Sequence, residues 1–157
     1  MSEAQGRIGK EDKAAMTSIF VSGPFFNSEQ NAVIGKIEQL LFSKGIQFYS
    51  PRLAVKLEKN SSVLEQDKAF QWDTICLDLA DWAIAVIDDW DAGTMWEIGY
   101  CHPKGNAKKR VIAYSDVPDR RLNVMLARSC YAFVNGIQEL EDWLTNKMPK
   151  EWKGEVF

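Results

Sequence analysis

The stretch "WAIAVI", residues 82–87, is apolar at every position, and this feature constrains the fold more than any other. A strand of an antiparallel sheet usually alternates apolar and polar residues, because one of its faces meets water. An unbroken apolar run of this length favours a strand that helices cover on both faces, as in a parallel sheet. The sequence therefore predicts a parallel sheet with this strand inside it.

Other short apolar runs alternate with helical patterns along the chain. Strands are predicted at 18–21, 46–49, 82–87, 110–114 and 131–134, and helices at 27–45, 66–80, 94–102 and 136–146, with a short helical piece near 122–128. Residues 51–65 show no clear period and are predicted to form a surface loop, and the tail "PKEWKGEVF" is predicted to be non-helical. Strict alternation of strands and helices predicts one three-layer α/β domain with right-handed crossovers.

Length and composition limit the possible classes of protein. The chain has 157 residues, which suffices for one domain, expected over 17–157 after a polar extension without fixed structure over 1–16. The formal net charge is −3 and the basic clusters are short, which argues against nucleic acid as a partner. No apolar stretch reaches the roughly 18 residues of a membrane span. We therefore expect neither a nucleic-acid-binding nor a membrane protein.

The cysteines and the single histidine limit the chemistry further. Cys76, Cys101 and Cys130 are odd in number and widely spaced, which is typical of reduced thiols in a cytoplasmic protein and not of a disulfide framework or a zinc site. With His102 as the one histidine, the chain has little material for a metal site or a Ser-His-Asp triad. No metal or cofactor is expected.

The segment "DDWDAGTMWEIGY", residues 88–100, follows the apolar strand and is rich in carboxylates. In parallel sheets, ligands bind outside the carboxyl ends of the strands. Thr94 is predicted to cap the next helix, which would place Glu97 in its first turn, where the helix dipole favours an ionised carboxylate. Such a carboxylate is a candidate nucleophile toward an anomeric carbon. A plain capping role for Glu97 is the alternative.

Other polar and aromatic residues near this edge have two interpretations each. Asp88, Asp89 and Asp91 could hold sugar hydroxyls or exchange protons with a heterocyclic base, or form a solvated acidic turn. Asp73 could face the pocket, or it could be a surface or capping residue. Phe25, with its neighbour Phe26, could stack on a base or pack in the core or against another subunit.

Six sequence features together resemble one known family. They are "IFVSGPFFNSEQ" (19–30), "FYSPR" (48–52), Asp73 eight positions before Asp81, "DAGTMWEIGY" (91–100), "LNVM" (122–125) and "GEVF" (154–157). In this order and spacing they resemble the nucleoside 2-deoxyribosyltransferases. The resemblance implies a flavodoxin-like three-layer α/β sandwich with a five-stranded parallel sheet. It also implies exchange of the base of a 2′-deoxyribonucleoside for a free nucleobase, by double displacement and without a cofactor.

The resemblance further implies roles for individual residues. Glu97 matches the nucleophile that forms a covalent deoxyribosyl intermediate, Asp91 the acid that assists departure of the base, and Asp73 a residue near the sugar hydroxyls. Asn123 matches an asparagine that a neighbouring subunit contributes to the site; the resemblance also implies that Met125 lines the site and that the carboxylate of Phe157 belongs to it. Homo-oligomers, from dimers to hexamers, are expected.

One position departs from the family pattern. Many of these transferases have a tyrosine on the first strand whose hydroxyl holds the nucleophilic glutamate, and this chain has Phe20 there. Two alternative functions follow from the resemblance and this departure. One is an N-glycosidase that hydrolyses 2′-deoxynucleoside 5′-monophosphates, and the other is a non-catalytic nucleotide-binding module.

Overall fold

The computed structural model describes residues 18–54, 56–102 and 110–157, and a five-stranded parallel sheet forms its centre. The strands are β1 (Ser18–Ser22), β2 (Gln47–Tyr49), β3 (Trp82–Val86), β4 (Arg110–Ser115) and β5 (Ala132–Asn135). Their order across the sheet is β2-β1-β3-β4-β5, and every neighbouring pair is parallel. This confirms the predicted fold class and gives the strand order of flavodoxin-like sheets.

Six α-helices connect the strands and the tail. They are α1 (Ser28–Ser43), α2 (Pro51–Ala54), α3 (Val63–Leu79), α4 (Ala92–Tyr100), α5 (Val124–Ser129) and α6 (Gly136–Asn146) among the described residues. Apolar side chains of α1 and α6 pack on one face of the sheet, against Ile19, Val21 and Ile84. Side chains of α3, α4 and α5 pack on the other face, against Phe20 and Ala85. Successive side chains of β1 therefore point to opposite faces and pack in two separate cores, one on each side of the sheet.

The turn after β1 depends on a glycine. A Cβ atom at Gly23 would lie 3.0 Å from Ile34 Cδ1 and 3.0 Å from Val86 Cβ. Such contacts are tighter than most packed side chains make, so any larger residue here would have to push Ile34 or Val86 aside by a few tenths of an ångström. The next helix then begins as predicted, because the Asn27 side chain accepts a hydrogen bond from the Gln30 backbone N–H at 2.9 Å.

The predicted surface loop over 51–65 is wrong in part. Its first residues form α2, and α3 begins at Val63, three residues earlier than predicted. Ser62 and Glu65 make a full capping box, with each side chain accepting from the other residue's backbone N–H at 3.2 and 2.6 Å. The sequence "SVLE" carries this Ser-x-x-Glu signal, which the weak apolar period of the helix start obscured.

The tail follows the sheet as an irregular, non-helical segment, as predicted. Lys150 forms a parallel bridge with Ala132, and Val156 forms one with Leu122. Backbone hydrogen bonds at 3.0 Å also join Phe157 N–H to Leu122 C=O, and Val124 N–H to the Phe157 carbonyl oxygen.

Two further sequence predictions concern the ends of the chain and membranes. The predicted extension over 1–16 lies outside the described residues. Within the ranges that the structure describes, no helix has both the length and the apolar character that crossing a membrane requires.

Candidate active site

The candidate site lies where the strand order reverses direction, at the carboxyl ends of β1 and β3. Ligands bind at this switch point in doubly wound sheets. The chain leaves β3 through a tight turn in which Asp89 and Trp90 have positive φ angles of 68° and 50°. Non-glycine residues rarely adopt this conformation, and it often occurs at functional sites.

The predicted start of the next helix is wrong. Asp91, not Thr94, caps α4: its Oδ2 accepts hydrogen bonds from Thr94 N–H at 2.8 Å and from Thr94 Oγ1 at 2.9 Å. Since α4 begins at Ala92, Glu97 lies in the second turn and not the first. The free amide groups of the helix start therefore do not surround Glu97. An aspartate can cap as well as a threonine, and spacing alone did not separate the two.

A cavity of about 280 Å³ places Glu97 and Asp73 side by side between α3 and α4. It is lined by Phe20, Phe70, Asp73, Thr74, Leu77, Gly93, Trp96 and Glu97. Phe70 and Trp96 meet edge to face across α3 and α4, with ring centroids 5.5 Å apart. Mostly apolar walls around a few converging polar groups are typical of small-molecule sites.

Burial dominates the electrostatics of Glu97. Desolvation raises the pKa of Glu97 to about 7, the nearby Ser22 hydroxyl opposes this shift, and the negative charges of Asp73 and Asp91 add to it. Glu97 Oε2 and Ser22 Oγ are both buried, and neither atom has a hydrogen-bond partner among the described residues. The Ser22 hydroxyl therefore lies near Glu97 without a hydrogen bond of normal geometry to Oε2. A strongly perturbed carboxyl in a pocket is a functional-site candidate.

Asp73 has a partner that sequence reasoning missed. The Tyr49 hydroxyl, at the end of β2, donates a 2.7 Å hydrogen bond to Asp73 Oδ1. Burial raises the pKa of Asp73, and this hydrogen bond lowers it in part. The sequence feature that could have identified Tyr49 as a site residue is its position at the carboxyl end of a predicted strand, because ligands bind at that edge of a parallel sheet.

The structure separates the aspartates of the 88–91 turn. Asp88 accepts hydrogen bonds from Ser115 Oγ at 2.6 Å, Asp116 N–H at 2.8 Å and Arg120 Nη2 at 2.6 Å, so it ties β3 to the chain after β4. Asp89 accepts from Gln30 Nε2 at 2.9 Å. Asp91 uses only Oδ2 for capping in the bonds described above. Of the three, Asp88 is fully occupied by structural contacts.

Phe20 and Phe25 lie on different faces of the sheet. Phe20 is completely buried on the face that carries the cavity, and its side chain forms part of the wall. Phe25 packs against the core on the opposite face and stacks on Phe26, with ring centroids 5.4 Å apart. Phe25 does not line the cavity beside Glu97.

Asn123, Met125 and Phe157 form a second group. Asn123 caps α5, its Oδ1 accepting from Met125 N–H at 2.9 Å, and the Phe157 carbonyl oxygen accepts from Val124 N–H. Met125 and Phe157 are 74% and 61% exposed. None of the three lines the cavity that contains Glu97 and Asp73 within the same chain.

A larger cavity, about 900 Å³, lies under the tail at the ends of β4 and β5 and includes neither Glu97 nor Asp73. Two of its cations are paired, Arg120 with Asp88 and Lys150 with Glu139. In the described part of the chain, no group of three or more His, Cys, Asp or Glu side chains is arranged to hold a metal ion. The smaller cavity, which contains Glu97 and Asp73, is therefore the better candidate for the active site.

Comparison with known proteins identifies the family to which the chain is similar. Residues 19–146 match the family model described as nucleoside 2-deoxyribosyltransferase. A solved 2-deoxyribosyltransferase from the psychrotolerant bacterium Bacillus psychrosaccharolyticus is 27% identical, with a TM-score of 0.73 over 87% of this chain and 99% of that chain. The range matched by the family model, 19–146, includes every residue that lines the smaller cavity.

A second solved structure shares the fold. It is a conserved protein from Enterococcus faecalis V583, 20% identical, with a TM-score of 0.52 over 90% of this chain and 91% of that chain. No curated protein sequence matches the chain significantly.

Proposed function

Since the chain belongs to the nucleoside 2-deoxyribosyltransferase family, we propose that it exchanges the nucleobase of a 2′-deoxyribonucleoside for a free nucleobase, with Glu97 as the nucleophile. The observation that carries the proposal is the desolvated Glu97 carboxylate beside Asp73 in a largely apolar cavity. A carboxylate with little solvation gains most when a cationic sugar carbon develops next to it. The proposed substrates, deoxyribonucleosides and free bases, are those that the family match implies.

The proposed reaction has two displacements. In the first, a Glu97 carboxylate oxygen bonds to C1′, the C1′–N bond breaks with its electron pair passing to the base, and Asp91 supplies a proton to that base. In the second, a nitrogen of the incoming base attacks C1′, the ester bond to Glu97 breaks, and Asp91 recovers a proton. Two inversions give net retention at C1′. Asp73 binds the sugar hydroxyls in both steps.

Chromatography of purified protein incubated with 2′-deoxyinosine and adenine tests the proposal. Appearance of 2′-deoxyadenosine and hypoxanthine in equal amounts is the expected result. Release of hypoxanthine without a new nucleoside would support the N-glycosidase instead, and the assay would then be repeated with a deoxynucleoside 5′-monophosphate. Absence of both products at several pH values would contradict the transferase and favour a binding module.

Phe20→Tyr should shift the pH dependence of exchange. The side chain is part of the cavity wall, and a phenol hydroxyl there can donate to Glu97 Oε2, which has no partner among the described residues. A hydrogen bond to the ionised form would lower the Glu97 pKa from about 7. The rise of kcat/KM with pH should therefore move to lower pH, measured as initial rates from pH 5 to 8.

Phe48→Tyr is the matched control for this prediction. Phe48 is partly buried against the core on the opposite face, so its added hydroxyl does not reach Glu97. A pH profile that is the same for Phe20→Tyr, Phe48→Tyr and the unsubstituted protein would contradict the expected contact.

The proposal includes assembly. Asn123, Met125 and Phe157 are exposed or at a helix start away from the Glu97 cavity, so we propose that they act in the site of another copy of the chain. Asn123→Ala and Glu97→Gln would then each inactivate a different half of a shared site. Mixing the two inactive variants, with exchange of subunits, should restore part of the activity. Mixtures as inactive as the separate variants, despite proven subunit exchange, would contradict shared sites.

A cytoplasmic location is also part of the proposal. Cys76, Cys101 and Cys130 form no disulfide with one another, which fits a reducing compartment.

A further inference from the structure

The contact between Tyr49 and Asp73 joins two strands to the cavity. Tyr49 is the last residue of β2 and lies in register with Phe20 of β1, their ring centroids 5.5 Å apart. Its hydroxyl reaches past Phe20 to Asp73 Oδ1 at 2.7 Å. Phe20 has no hydroxyl, so the phenol that contacts Asp73 comes from the neighbouring strand β2.

Asp73 depends on this one contact. Among the described residues, no other group donates a hydrogen bond to its side chain, and the bond uses only Oδ1. Burial favours the protonated form of Asp73, and the Tyr49 bond opposes that effect. Burial and the bond to Asp73 raise the pKa of Tyr49 itself, so the phenol remains a proton donor at neutral pH.

The position of Asp73 matters because it shares the cavity with Glu97. Two carboxylates in a small apolar space repel each other when both are ionised. A fixed donor on one of them keeps it ionised and sets its distance from the other. Without that donor, the simplest response is protonation or rotation of Asp73, which removes a hydrogen-bond acceptor from the cavity wall.

We propose that Tyr49 is a positioning residue that holds the Asp73 carboxylate, through Oδ1, in the orientation that binds the sugar hydroxyls of the substrate. The proposal rests on the proposed transferase function. It assigns to Tyr49 no contact with the reacting atoms, and its effect reaches the substrate only through Asp73.

The chain provides a closely matched control. Tyr114 is fully buried in β4, and its hydroxyl donates to Asp116 Oδ1 at 2.6 Å. Tyr114→Phe and Tyr49→Phe therefore remove the same kind of bond, a tyrosine hydroxyl donating to an aspartate, but Tyr114 and Asp116 do not line the Glu97 cavity. A general loss of packing or stability should affect both variants alike.

The test compares exchange kinetics of the unsubstituted protein and the two variants. For Tyr49→Phe, KM for 2′-deoxyinosine should rise about tenfold or more, as expected for loss of a hydrogen bond to a charged group, while kcat changes less. Tyr114→Phe should keep both constants. Equal changes in the two variants, or a Tyr49→Phe variant with unchanged KM, would overturn the proposal.

A second measurement separates this proposal from the proposed function. A carboxyl ¹³C NMR titration of Asp73 does not need turnover, and Tyr49→Phe should move its midpoint to higher pH while Tyr114→Phe leaves it unchanged. An unchanged midpoint in Tyr49→Phe would overturn the positioning role. If the unsubstituted protein shows no exchange while Tyr49→Phe moves the Asp73 midpoint to higher pH, the transferase proposal is wrong. The proposal that Tyr49 positions Asp73 is then still supported.

Discussion

Glu97→Gln should reduce the rate of base exchange by about 10³-fold or more, because an amide cannot form the ester with C1′. The substitution keeps the size of the side chain, so the cavity and the fold should persist. Initial rates of 2′-deoxyadenosine formation from 2′-deoxyinosine and adenine measure the effect. Intact-mass spectrometry of acid-quenched samples should show one added deoxyribosyl group on the unsubstituted protein and none on the variant.

The control for this prediction is Glu141→Gln. Glu141 forms an ion pair with Lys44 at 3.0 Å and does not line the cavity, so its loss should leave the exchange rate unchanged. Full activity of Glu97→Gln, or an adduct that survives in that variant, would show that another group attacks the sugar.

Glu97→Gln should also make the protein more stable above pH 7. The pKa of Glu97 is about 7 in the folded state against 4.5 for an ordinary glutamate, so between these values the folded state holds a proton that the unfolded state releases. The contribution of Glu97 to stability therefore falls as the pH rises from 4.5 to 7. At about 1.4 kcal/mol per pH unit, the loss is on the order of 2 to 3 kcal/mol.

Urea unfolding of both proteins at pH 4.5, 6 and 8 measures this prediction. Glutamine stays neutral throughout, so the stability advantage of the variant should grow with pH and level off above 7. Glu141→Gln, whose side chain is half-exposed and outside the cavity, is the control for the substitution itself. A Glu97→Gln variant that is less stable than the unsubstituted protein at pH 8 would contradict a desolvated Glu97. The ionised form needed for attack is thus the form that costs stability.

The fold was predictable because its strongest signals are local. The unbroken apolar run at β3 indicated a strand covered on both faces, and Asn27 with Gln30 located the start of α1. The predicted helix starts were wrong in two places. At one, both Asp91 and Thr94 could cap the helix, and the sequence did not decide between them. At the other, the capping box of Ser62 and Glu65 begins a helix whose apolar period is weak.

The site was predictable only in part. Glu97 and Asp73 were identified as candidates from the sequence, and the structure brings both to one cavity. The contact from Tyr49 was missed, because it depends on which strands are neighbours and how their residues align, and short-range patterns do not carry strand order. For the same reason the sequence could not indicate that Phe25 lies on the opposite side of the sheet from Phe20.

The strand order also has a consequence for how the chain folds. β1 lies inside the sheet, but its partner β3 comes 63 residues later in the sequence, with Ile19 opposite Trp82. During synthesis, one edge of β1 therefore stays open until residues 82–86 leave the ribosome. Pairing between distant segments is slow, and an open apolar strand edge can pair with other chains. Fragments that stop before β3 should aggregate, and the full chain should fold best when released whole.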